Sequence, residues 1–75
     1  MKNKYNVGDI IVYEDQVVHT ITEVVSFIDS SYGYDTEYYD RQNNRMNEYY
    51  MSEFHIDRLI TGKNKEAKYY PVNKD

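Results

Sequence analysis

The chain contains no cysteine, no tryptophan, one proline, three glycines and two histidines in 75 residues. Without cysteine, neither a disulfide nor a thiolate metal site can staple so small a protein. That absence fits a reducing, cytoplasmic setting. Three glycines leave no glycine-rich phosphate loop. The two histidines, His19 and His55, form no His-Glu-x-x-His pair and no other metal-ligand spacing. Ser52, His55 and Asp57 lie close in sequence, but a nucleophile, base and orienter are defined by spatial geometry, not by proximity along the chain. No enzyme, catalytic residue, metal or cofactor is therefore expected. No apolar run approaches the roughly 18 residues of a membrane span. The opening Met1-Lys2-Asn3-Lys4 leads straight into a strand-like pattern, so neither a signal peptide nor a membrane partner is expected.

Positive charge is also missing where it would matter. From Glu14 to Asp40 the chain carries Glu14, Asp15, Glu23, Asp29, Asp35, Glu37 and Asp40, with no lysine or arginine among them. Arg41, Arg45 and Arg58 then balance Glu48, Glu53 and Asp57. Lys63, Lys65, Lys68 and Lys74 make the end of the chain mildly basic. The net charge is −4. An acidic body repels phosphate backbones, which disfavours direct nucleic-acid binding through it and favours a protein partner with a basic surface.

What the sequence has in excess is tyrosine: ten, against two phenylalanines. A core of this size cannot hold ten, so several must face outward, where the ring offers area and the hydroxyl a hydrogen bond. The alternation of apolar and polar residues is strand-like. Asp9–Tyr13 reads as a first strand, Glu14-Asp15-Gln16 as a turn, and 17–28 as a long second strand with a bend or bulge near Glu23–Ser26. Asp29–Asp35 reads as a loop and Thr36–Asp40 as a third strand. The turn 41–45 has asparagines suited to left-handed backbone angles, and Met46–Met51 reads as a fourth strand. Ser52 can cap a helical turn, with a short last strand expected around Arg58–Thr61. The pattern predicts an all-β, SH3-like or Tudor-like barrel of about five short strands with one helical turn over residues 1–62. A polar Lys/Tyr-containing tail at 63–75 is expected to be partly disordered, with Tyr69–Val72 either an edge strand or loose. A meander of three or four strands carrying a helix over Ser52–Leu59 is the other architecture the pattern allows.

Adjacent residues on a strand point to opposite faces. Each of Tyr38-Tyr39 and Tyr49-Tyr50 should therefore give one ring to the core and one to the outside. These rings either stabilise the hairpin as cross-strand pairs or form a recognition surface. The expected contact surface is Tyr32, Tyr34, Tyr38 and Tyr49, rimmed by Asp29, Asp35, Glu37 and Asp40, with tyrosines as anchors and acids as steering groups.

Tyr5-Asn6-Val7-Gly8-Asp9-Ile10-Ile11-Val12-Tyr13 resembles the opening of the RNA-polymerase-interaction domain of the CarD and transcription-repair coupling factor family, which reads apolar-x-Val-Gly-Asp-x-Val-Val-Tyr. Tyr49-Tyr50 through Phe54, Ile56 and Leu59 is similar to that family's later segment. After Tyr13 the chain departs from the family's His-Gly-Val-Gly type of turn. The resemblance implies a Tudor-like barrel that docks on RNA polymerase. Charge and size alone also suit a nuclease-like partner blocked by nucleic-acid mimicry, as small phage-encoded inhibitors do, or a structural role in an assembly. Oligomeric state is not legible in the sequence.

Overall fold

Five strands and one helix occupy residues 10–70 of the computed structural model, which describes residues 3–72. The strands are β1 (Ile10–Tyr13), β2 (Val18–Ser26), β3 (Tyr32–Asp40), β4 (Arg45–Ser52) and β5 (Ala67–Tyr70); α1 (Glu53–Thr61) lies between the last two. All pairings are antiparallel, in the order β4-β3-β2-β1-β5. This is the small all-β, SH3-like architecture expected from the alternating pattern. The helix packs on β3, β4 and β5, covering the side where the two edge strands do not pair.

Gly8 and Asp9 fix the start of the fold. Gly8 has φ 97°, the left-handed region that favours glycine. Asp9 is fully buried, and its carboxylate accepts from Asn6 N at 2.9 Å, Tyr69 Oη at 2.6 Å and Val72 N at 2.9 Å. One side chain thus ties the first turn to the last strand. Gly8 and Asp9 of the Val-Gly-Asp motif thus each have a structural role, while Val7 is exposed.

The core contains Tyr5, Ile11, Ile21, Tyr34, Met51, Ile56, Leu59 and Ala67. Tyr5 meets Tyr34 and Tyr69 edge-on, with ring centroids 5.5 and 5.2 Å apart. A buried phenol needs a hydrogen-bond partner, and each of these three has a carboxylate. Tyr5 donates to Asp57 at 2.5 Å, Tyr34 to Glu53 at 2.6 Å and Tyr69 to Asp9. Burial, reinforced by the carboxylates, raises all three phenol pKa values, Tyr69 to about 12.

Several local expectations are corrected. The bulge falls at Thr22, between Ile21 and Glu23, where the β2–β3 register shifts. Strict alternation would have turned Glu23 inward after His19 and Ile21. The extra residue instead turns Glu23 out and sets Val24 opposite buried Tyr34. Thr22 Oγ1 donates to Asp35 O at 3.2 Å across this step. The loop expected at Asp29–Asp35 is shorter, because β3 already begins at Tyr32. The single helical turn is a nine-residue helix that includes Arg58–Thr61, where a strand was expected. The last strand is β5, from the segment assigned to the tail: it pairs with β1 along Ile10–Tyr13 and buries Ala67. The end of that tail, residues 73–75, lies outside the described residues.

Candidate protein-docking face

Strand register sorts the side chains of β2, β3 and β4 onto two faces, since directly paired residues share a side. Buried Ile21, Thr36 and Tyr34 identify the inner face. The outer face then carries Glu23 opposite Asp35, Asp35 opposite Tyr50, Glu37 opposite Glu48, and Tyr39 opposite Met46. Two carboxylate pairs therefore face each other across neighbouring strands. Like charges placed directly opposite are destabilising. Among the described residues no lysine or arginine forms an ion pair with any of these four acids; the ion pair found there joins Lys4 to Asp57 at 2.8 Å. Glu23, Glu37 and Glu48 are exposed and Asp35 is half-buried. Tyr39, Met46 and Tyr50 edge the acids with exposed apolar area. The Tyr50 ring lies over Gly33, where the side-chain atom of any other residue would collide with it.

The eight residues expected to form one surface are divided by this geometry. Asp35 and Glu37 lie on the outer face. Tyr34 is fully buried in the core, so it is removed from the contact surface. Tyr38 and Tyr49 stand with Tyr13 around His19, at centroid distances of 4.8, 5.6 and 4.9 Å respectively, and Tyr49 remains 45% exposed on that side of the sheet. His19 fills the centre of that cluster. Tyr32 is half-buried beside Phe27 and Phe54. Asp29 closes the β2–β3 loop, accepting from Ser31 N and Oγ. Asp40 closes the β3–β4 turn, accepting from Gln42 N and from Asn43 and Asn47 Nδ2. These bonds hold both carboxyls below the usual range; the largest contributions come from the Ser31 hydroxyl and the Asn43 amide.

Strand parity alone separates the steering acids from their expected anchors. On β3 the even-numbered side chains 32, 34, 36 and 38 point in, and the odd-numbered 35, 37 and 39 point out. The outward members of the doublets are Tyr39 and Tyr50, and the missed acids are Glu23 and Glu48. One securely inward position, such as Thr36 or Tyr34, would have fixed the parity of the hairpin.

The remaining polar chemistry serves the fold. Thr36 Oγ1 donates to Tyr49 O at 2.8 Å. Its lone pair therefore accepts from His19 Nδ1, 3.1 Å away, which sets the proton of the neutral imidazole on Nδ1. Burial lowers the His19 pKa, with Asp15 opposing weakly. Ser52 Oγ accepts from the backbone N of His55 as the helix N-cap, and Asp57 is engaged by Lys4 and Tyr5. Among the described residues no group of three or more potential ligands is placed to hold a metal, and no helix is long and apolar enough to cross a membrane. No family model, curated protein or solved structure matches the chain.

Proposed function

We propose that this chain is a non-enzymatic, cytoplasmic binding module. It docks the outer face of β2, β3 and β4 onto a basic surface of a nucleic-acid-processing protein and modulates that protein. The observation that carries the proposal is the two opposed carboxylate pairs, Glu23 with Asp35 and Glu37 with Glu48, which among the described residues form no ion pair with a lysine or arginine. A fold that needed only solubility would gain from interspersing lysines there. A basic partner neutralises all four acids at once, and their field speeds its approach. RNA polymerase is the partner that the resemblance of residues 5–13 implies. A nuclease whose nucleic-acid groove is occupied by these carboxylates is the competing partner.

The test is capture of purified RNA polymerase core, and separately of a purified nuclease, by immobilised protein at low and high salt. Retention by the wild type that is lost in Glu37→Lys/Glu48→Lys supports the outer face as the contact. Equal retention by the reversed-charge variant, with its fold intact, overturns it. Competition by duplex DNA for the captured protein would identify mimicry as the mode.

A further inference from the structure

At the β2–β3 loop end of the sheet, where Tyr32 from the inner side and Tyr50 from the outer side come together, lies a hollow with four aromatic walls. Phe27, Tyr32, Tyr50 and Phe54 line it together with Ser31, Ser52, Glu53 and Asp57, and its volume is about 270 Å³. That lies just under the roughly 300–1,000 Å³ of small-molecule sites, a size suited to one side chain. Phe54 is 70% exposed and Phe27 47%, while Ile28 projects wholly into solvent. Such a cluster is unusual in a small protein, because exposed apolar residues grouped together mark interaction sites whereas scattered ones do not. The tip that presents them is a closed turn. Phe27 N donates to Ser31 O and Ser30 N to Phe27 O, both at 3.0 Å, and Ser30 holds φ 70°. Arg58 sits 5.8 Å from the Phe54 ring centroid, bracing the ring from within α1.

Tyr50 belongs to both features: it is a wall of the hollow and stands opposite Asp35 on the acidic face. An apolar socket and a double row of carboxylates therefore adjoin through one residue. We propose that the hollow takes a bulky apolar side chain of a polypeptide whose flanking lysines or arginines lie along Asp35 and Glu23, then along Glu37 and Glu48. An extended partner advances about 3.4 Å per residue. Cations two and four positions from the anchor then fall near the first and second carboxylate rows. Charge selects this occupant: a second copy of the chain would set acid against acid, and an anionic lipid surface is repelled by the same rows. The inference rests on the acidic-face reading above and adds the anchor to it.

The experiment is an NMR titration with two nonapeptides. Each has lysines two and four positions to either side of a central residue and serines between; the centre is tryptophan in one and serine in the other. The tryptophan peptide should shift the amide signals of Phe27, Tyr50 and Phe54. It should bind about tenfold more tightly than the serine peptide, the gain expected of a central aromatic anchor. Phe27→Ser/Phe54→Ser should reduce it to the level of the serine peptide, and Glu37→Lys/Glu48→Lys should weaken both. Phe54→Ser alone, at an exposed helix position, carries the comparison should the double variant lose its dispersed spectrum. Equal binding of the two peptides overturns the anchor while leaving the acidic face standing. Binding of neither overturns both. Attachment to zwitterionic lipid vesicles, or self-association, that Phe27→Ser/Phe54→Ser abolishes would also overturn the anchor, assigning the hollow to a membrane or to a second copy.

Discussion

His19 is the residue whose surroundings make the sharpest demand. Its ring is enclosed by Tyr13, Tyr38 and Tyr49, and its Nδ1 hydrogen is directed at Thr36. An imidazolium there would lose hydration, and among the described residues Asp15 supplies the negative charge that opposes that loss. The folded pKa therefore lies below the ordinary 6.5. Above that value both states are neutral and folding does not depend on the proton. As pH falls below 6.5 the unfolded chain takes up the proton first, so stability declines until the folded pKa is passed. Denaturant unfolding at pH values falling below the ordinary 6.5 should show this decline, and His19→Gln should flatten it even though the variant starts from a lower stability. An unchanged slope in His19→Gln would assign the acid sensitivity elsewhere. Asp29, Asp40 and Asp57 titrate in a separate, lower window, because their depressed pKa values withhold loss of stability until pH falls below the ordinary 3.8.

Among the elements, α1 shows most directly what was legible beforehand. Ser52 announced a cap and the cap is present: its Oγ accepts from His55 N at 3.1 Å, and Glu53 stands in the first turn. Ser52→Ala should destabilise the protein by about 1 kcal/mol, read as a melting temperature lower by about 4–8 °C. Ser52→Asp should restore most of it. The length of the helix was legible only in the alternative architecture, a helix over Ser52–Leu59, because Ile56, Leu59 and Ile60 suit a helix stripe and a short strand alike. Packing on β3, β4 and β5 decides between them. The hairpin strands were readable from alternation, and Asn44 takes the left-handed angle expected in the turn, φ 53°. Which face of that hairpin was inner was not readable. Tyrosine and threonine fit either side of a sheet, and the Thr22 bulge reverses the parity of β2 partway along. The expected face was divided for this reason: Asp35 and Glu37 lie on the outer side, Tyr34 is buried, and Tyr38 and Tyr49 belong to the other side of the sheet. β5 was legible in part, as the edge strand allowed at Tyr69–Val72, while its start at Ala67 and Lys68 was covered by lysines and glutamate that read as tail. What holds it is non-local: ladder pairing to β1 and the Asp9 bonds, from a residue about sixty positions away.

Across the whole molecule, charge placement and fold stability pull in opposite directions. A chain of 75 residues has little stability in reserve, yet it sets two pairs of carboxylates face to face on one sheet surface. Screening should relieve that repulsion, since the Debye length shrinks from about 30 Å at 0.01 M salt to about 10 Å at 0.1 M. The wild-type protein is therefore expected to become more stable as sodium chloride rises through that range, before any binding partner is added. Glu48→Lys places a cation opposite Glu37 and turns one repulsive pair into an attractive one. At low salt the variant should gain roughly 0.2–1 kcal/mol, the span of a favourable cross-strand pair. The gain should shrink as salt is added, because screening weakens the new attraction as it weakens the old repulsion. Urea midpoints for both proteins at the two salt concentrations measure this. A wild type indifferent to salt, together with a Glu48→Lys variant no more stable than it, would mean that the opposed carboxylates carry no strain. Those carboxylates would then have no energetic reason to await a basic partner.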